Sequence, residues 1–232
     1  MLSSTATAIL LLALPLRAVA HDYSLERDGD DYALYQGHFH STHPGEKQVP
    51  YDPGIIEAAY CTAESGIRSM PRATAYPARF PGPCAVLYVD MSSGYWSQTL
   101  TGTVNKPKTE VTGSLRGWLS EESIKRINVW TPAAAAPLTA GFELVPLENP
   151  LTLKPGSKLR LQALWQRKPK SGVTVAYDGA ARGVTDTDGK VNLRVRHGGA
   201  QTVSATFEEP LNDAKADKIV RASILQFQLS EK

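Results

Sequence analysis

The sequence predicts an all-β protein, two β-sandwich domains in series, with the C-terminal one of immunoglobulin or transthyretin type. Three observations carry that expectation. Glycine (18) and proline (16) are frequent and spread out, which punctuates the chain into short segments. Few stretches hold a 3.6-residue apolar period, whereas several alternate apolar and polar residues with a period of two. In the last third, about seven such runs recur at short, regular spacing, the pattern of a sandwich.

In chain order, residues 1–20 read as a signal peptide. Residues 9–16 form a short apolar block, and Ala18-Val19-Ala20 is an A-x-A cleavage signal. The block falls short of the roughly 20 apolar residues a bilayer span needs. Neither cysteine lies near the cleavage point, so no direct membrane anchor is expected and the mature chain is expected in the periplasm. One departure is visible: no Lys or Arg precedes the apolar block.

Residues 21–148 form the expected N-terminal domain. Its strands are expected over 31–39, 85–90, 124–130 and 142–147, with one or two helical turns over 53–60, where Pro53 suits a helix start. The boundary falls near Glu148-Asn149-Pro150, and residues 149–232 form the second domain. There Leu153-Lys154-Pro155-Gly156 reads as a turn. Leu159, Leu161 and Ala163 then alternate with Lys158, Arg160 and Gln162. Further strands are expected over 173–177, 182–185, 190–195, 201–207 and 219–229. Asp188-Gly189, between two of these runs, is a hairpin signal. Asp186-Thr187-Asp188-Gly189 lacks the ligand spacing and closing Glu of a calcium loop.

Charge and cysteines narrow the function. Without residues 1–20 the chain has 24 basic against 23 acidic residues. That balance gives no electrostatic case for a nucleic-acid partner or a membrane surface. In an exported chain, Cys61 and Cys84 are expected to form a disulfide. Their spacing is not the close C-x-x-C of a thiolate metal pair. No G-x-S-x-G elbow, P-loop or triad is present, so an enzyme is not expected. His197, beside Gly198-Gly199, reads as a turn residue. Trp96, Trp118, Trp130 and Trp165 are expected in cores, with Tyr95-Trp96 alternatively lining a ligand-facing loop.

Four of the five histidines, His21, His38, His40 and His43, fall within positions 21–43. Cleavage after Ala20 makes His21 the first mature residue, so its α-amine and imidazole can close a chelate ring on one ion. The amine titrates near neutral pH, where a metal displaces its proton. In Gly37-His38-Phe39-His40, residues i and i+2 of an extended strand share a face, so both imidazoles can address one site while Phe39 points to the core. His43, in a turn-forming stretch, is a further candidate ligand. Imidazole and amine nitrogens suit nickel, copper and zinc better than magnesium or calcium. Glu46, Asp52 and Glu57 lie close enough in sequence to be outer hydrogen-bond partners or simply solvated carboxylates.

Several motifs extend this reading. They are His21-Asp22-Tyr23, Gly37-His38, Pro50-Tyr51-Asp52-Pro53, Ser93-Gly94-Tyr95-Trp96, Asn105-Lys106-Pro107-Lys108 and the stretch 120–130. Leu144-Val145-Pro146-Leu147-Glu148-Asn149-Pro150 and Thr185-Asp186-Thr187-Asp188-Gly189 carry it into the second domain. Together they resemble the NikK-type accessory periplasmic components associated with nickel uptake transporters of the energy-coupling-factor class. The resemblance implies a nickel ion, or cobalt, as cargo and membrane transporter components as partners. It supports His21 and His38 most directly, then His40, then His43. Three alternatives use the same residues differently: a periplasmic copper (Cu2+) carrier, a copper-dependent enzyme built like a lytic polysaccharide monooxygenase around an N-terminal histidine, and an interaction module that binds no metal.

Overall fold

Tyr23 and Leu25 are buried while Asp22, Ser24 and Glu26 are not, and this period of two makes the first strand of a computed structural model, β1 (Asp22–Asp28). The structure describes residues 22–37, 39, 48–63 and 65–231, so the expected signal peptide lies outside them. Gly29, with φ +65°, turns the chain into β2 (Asp31–Gly37). There follow β3 (Gln48–Val49), β4 (Ile56–Ala63), β5 (Gly66–Ser69), β6 (Ala78–Phe80), β7 (Val86–Thr99), β8 (Gly102–Val104) and β9 (Arg116–Ile127). The second half gives β10 (Glu143–Pro146), β11 (Lys158–Trp165), β12 (Lys168–Pro169), β13 (Thr174–Tyr177), β14 (Ala180–Val184), β15 (Lys190–Arg194), β16 (Gly199–Asp213) and β17 (Ala216–Leu229). The chain is all-β and builds sandwiches, as its alternating pattern predicts. Among the described residues no helix is long and apolar enough to cross a membrane.

One large sheet runs through both halves in the order β14-β13-β16-β17-β9-β7-β4-β5, with β8 beside the end of β7. Its neighbours are antiparallel except β17 and β9, which pair in parallel from Lys218↔Trp118 to Phe227↔Ile127. A small sheet of β1, β2, β3 and β6 covers one part. A second, of β10, β11, β12 and β15, covers another.

The two covers lie on opposite faces, and the sequence of the central strands shows why. Successive side chains of a strand point to opposite sides. On β17, Ile224 joins the core under β1 and β2, whereas Leu225 joins the core under β10 and β11. On β7, Leu87 and Val89 enter the first core and Val86 the second. Buried on both faces, this stretch reads as a continuous apolar run rather than an alternation. Each fully buried Leu or Phe here contributes roughly 1.5–3 kcal/mol.

Four expectations are sharpened or corrected. Residues 53–60 hold one helical turn and no second: the Asp52 carboxylate accepts the Gly54 N–H at 2.8 Å, capping the 3-10 turn Pro53–Ile55 that Pro53 opens, and the chain then enters β4. Pairing with β7 and β5 on either side outweighs local helix propensity. Strand β2 ends at Gly37, and Phe39 is a half-buried turn residue. β9 starts eight residues before the expected position 124 and ends at Ile127, because it pairs with both long neighbours β7 and β17. Finally, Asp188-Gly189 does form a tight turn, with Gly189 at φ +70° and its N–H donating to Asp186 O at 3.0 Å. The strands it joins do not pair with each other. β14 pairs with β13 and β15 with β11, so the turn crosses between sheets.

Candidate metal centre

The four histidines named from the sequence, His21, His38, His40 and His43, all lie outside the described residues, as does Glu46. Their chain neighbours are described, and the sheet brings these together. Asp22, which follows His21, is the register partner of Gly37, which precedes His38. Gly37 is in turn partnered by Gln48, the first described residue after positions 40–47. Strand β2 is described as far as Gly37, and the strand-face reading of His38 and His40 falls outside the described residues. Sheet pairing supplies a different convergence. Asp22, Gly37 and Gln48 stand side by side, so the chain leaves and re-enters this edge at one place.

Aromatic packing braces that edge. Tyr23 is buried and its hydroxyl accepts the Gln36 side-chain N–H at 3.1 Å. The Tyr23 ring meets Tyr51 edge-on at 6.1 Å, and Tyr51 meets Tyr76 at 5.1 Å. The Tyr51 hydroxyl donates to Leu34 O at 2.9 Å and accepts from Ala78 N at 3.3 Å, tying β2 to β6. Burial pushes the Tyr51 phenol up to about 12 and the Tyr23 phenol higher still, with Glu122 adding to the latter. Both stay protonated at neutral pH and act as neutral braces.

Glu122, on β9, is the nearby carboxylate that raises Tyr23. Burial lifts its own pKa, and two serines oppose that rise. Ser120 Oγ donates to it at 2.6 Å and Ser93 Oγ at 3.1 Å. Ser93 Oγ also accepts the Trp96 indole N–H at 3.1 Å, and the Trp96 and Trp118 rings stack at 6.5 Å. Asn105 donates to Ser93 O and Tyr95 O at 2.9 and 2.8 Å, holding the Gly94 bulge. Tyr23, Tyr51, Ser93, Trp96 and Asn105, picked out in separate sequence motifs, thus form one connected region around Glu122. No role for Glu122 is legible in the sequence.

The remaining candidates are placed elsewhere. Asp52 caps its own turn, and Glu57 lies beside Asp90 across the large sheet, in a cavity of about 350 Å³ that Glu121 also lines. Burial, reinforced by Glu57, Glu121 and Glu143, pushes Asp90 up to about 6. His197 stacks on Tyr177 at 5.8 Å and pairs with Asp178 at 2.8 Å, far in sequence from the other histidines. Cys61 and Cys84 form the expected disulfide. Among the described residues, no group of three or more His, Cys, Asp or Glu is disposed to hold a metal ion.

A comparison with curated proteins finds no match. A family described as a domain of unknown function (DUF4198) matches residues 22–209, from the first described strand into β16. With most of its length matched, the chain belongs to that family.

Proposed function

We propose that the mature chain is a periplasmic nickel or cobalt carrier, without chemistry of its own. It captures the ion through the α-amine and imidazole of His21 together with His38, His40 and His43, and supplies it to a membrane uptake transporter. The pairing of Asp22 with Gly37, and of Gly37 with Gln48, carries this reading. Each step along the chain spans about 3.8 Å. Positions 21 and 38 are each one step from a paired residue, so connectivity alone keeps them near each other. Four nitrogen-bearing residues attached to one sheet edge suit a late first-row ion. The resemblance to nickel-uptake accessory components points the same way, and an edge location favours exchange with a partner over permanent retention.

The test is calorimetric nickel titration of protein beginning at His21, beside a version carrying one extra N-terminal alanine. We expect one-to-one binding that the added residue abolishes or sharply weakens, because it removes the chelating amine. Equal binding by both would shift ligation to His38, His40 and His43. No binding by either would sink the proposal. Competition with copper then separates nickel uptake from copper carriage.

A further inference from the structure

The near-neutral total charge hides an uneven distribution. Residues 21–148 carry 10 Lys and Arg against 15 Asp and Glu, whereas residues 149–232 carry 14 against 8. Part of the basic excess gathers where the turn at Asp186–Gly189 carries the chain between sheets. β14 is the outer strand of the large sheet, and β15 flanks β11 in the small one. Between them opens a cleft of about 500 Å³, lined by Arg182 of β14 and by Asn192, Arg194 and Arg196 on and just beyond β15. Val191, Leu193 and Val195 are buried, so the alternating residues Asn192, Arg194 and Arg196 share the outward face.

Among the described residues none of the three guanidiniums enters an ion pair, and three nearby carboxylates have partners of their own. Glu148 pairs with Arg160 at 3.4 Å, Asp188 with Lys190 at 3.2 Å, and Asp178 with His197 at 2.8 Å. Asp186 accepts the N–H groups of Asp188 and Lys190. Arg194 donates to Gly156 O at 2.6 Å, which orients its guanidinium without neutralising it. Directly across the ladder from Arg194 stands Lys158, a like-charge placement that is unfavourable by itself.

We propose that this cleft binds a phosphate-bearing ligand, with Arg182, Arg194 and Arg196 taking the oxygens of one phosphoryl group and Asn192 adding a neutral donor. Arginine's planar fork matches phosphate oxygens two at a time. A single carboxylate, with one charge and two oxygens, would leave at least one guanidinium unanswered. Charges on outer strands also deter edge-to-edge pairing. That role needs neither arginine in particular nor convergence from two sheets on one cleft. The phosphoryl group has two available sources, a soluble phosphate or the headgroup of an anionic phospholipid.

The experiment uses the mature protein with Arg182→Lys, Arg196→Lys and Lys215→Gln variants. The Lys215 ammonium lies over Tyr95, at a separate place in the fold. Inorganic phosphate is titrated by calorimetry, and co-sedimentation is measured with phosphatidylcholine vesicles with and without phosphatidylglycerol. We expect saturable one-to-one binding of phosphate, weakened about tenfold in each Arg→Lys variant, which keeps the charge and loses the fork. Lys215→Gln should bind like the parent. Co-sedimentation with phosphatidylglycerol vesicles, lost in the same variants and without binding of free phosphate, would assign the cleft to a lipid headgroup. Binding of neither probe, or Arg→Lys variants equal to the parent, would overturn the proposal.

Discussion

The two cores on either side of the large sheet are held in different ways. The one beneath β10 and β11 gathers 20 buried apolar residues among those described, and its covering sheet rests on the regular eight-residue strand β11. The one beneath β1 and β2 gathers 16, two of which are Cys61 and Cys84. Its cover rests on the seven-residue strands β1 and β2 with the short β3 and β6 beside them, as the two-residue β12 stands beside β11 in the other. The smaller core draws part of its stability from a covalent staple. The larger core does without one. The comparison teaches that the candidate metal edge belongs to the unit with the smaller apolar core, to which a disulfide and a tyrosine cluster add cohesion.

The largest expected effect tests what the two units share. Lys125, on β9, is 1% exposed and its Nζ lies 2.9 Å from Glu143 on β10, which is fully buried. The ammonium also donates to Ala136 O at 2.8 Å, while the Thr139 N–H donates to Glu143 at 2.7 Å. Burial lowers the Lys125 pKa against the opposing pull of Glu143. Lys125→Met strands the buried carboxylate and should cost about 3–5 kcal/mol in denaturant unfolding. Adding Glu143→Leu should recover much of that loss, because no charge is then left unpaired. Recovery absent in the double variant would mean that the pair adds stability beyond mutual compensation.

A smaller effect should separate the two cores. Replacing Cys61 and Cys84 by alanine should cost about 3 kcal/mol by the loop-entropy account. Hydrogen exchange should show amides of β1, β2 and β6 losing protection before those of β11 and β15. Equal loss in both covering sheets would make the molecule one cooperative unit and break the comparison.

The smallest concerns Asp90, whose pKa is pushed up to about 6 by burial and by Glu57, Glu121 and Glu143. A carboxyl with a raised folded pKa favours the protonated folded state. Its stabilising contribution is complete below the unfolded value and is lost as pH rises through about 6. Asp90→Asn should therefore stabilise the protein at pH 8 by on the order of 1 kcal/mol, after allowing for partial exposure. It should also flatten that part of the pH–stability curve, as read from urea midpoints at pH 5 and pH 8. An unchanged slope would place the titration on another group.

Local sequence determined a good deal of this protein. Lys158–Trp165 is a strand as its alternation predicts, since its inward Leu159, Leu161 and Ala163 specify one buried face. The all-β class and the disulfide were equally legible, the latter because a chain with two cysteines has one pairing available. Even β1, absent from the expected strands, was readable in the alternation of Tyr23 and Leu25 with polar neighbours. Partner choice was not. The parallel pairing of β17 with β9 joins residues 100 positions apart, as in the Arg221–Glu121 contact, and makes one sheet serve both halves. The crossing at Asp186–Gly189, the grouping of Glu122 with Tyr23 and Ser93, and the lining of one cleft by Arg182, Arg194 and Arg196 all follow from such pairings. A period of two tells a strand which face to bury, whereas its neighbours are selected by packing across the whole molecule, which only the tertiary structure contains.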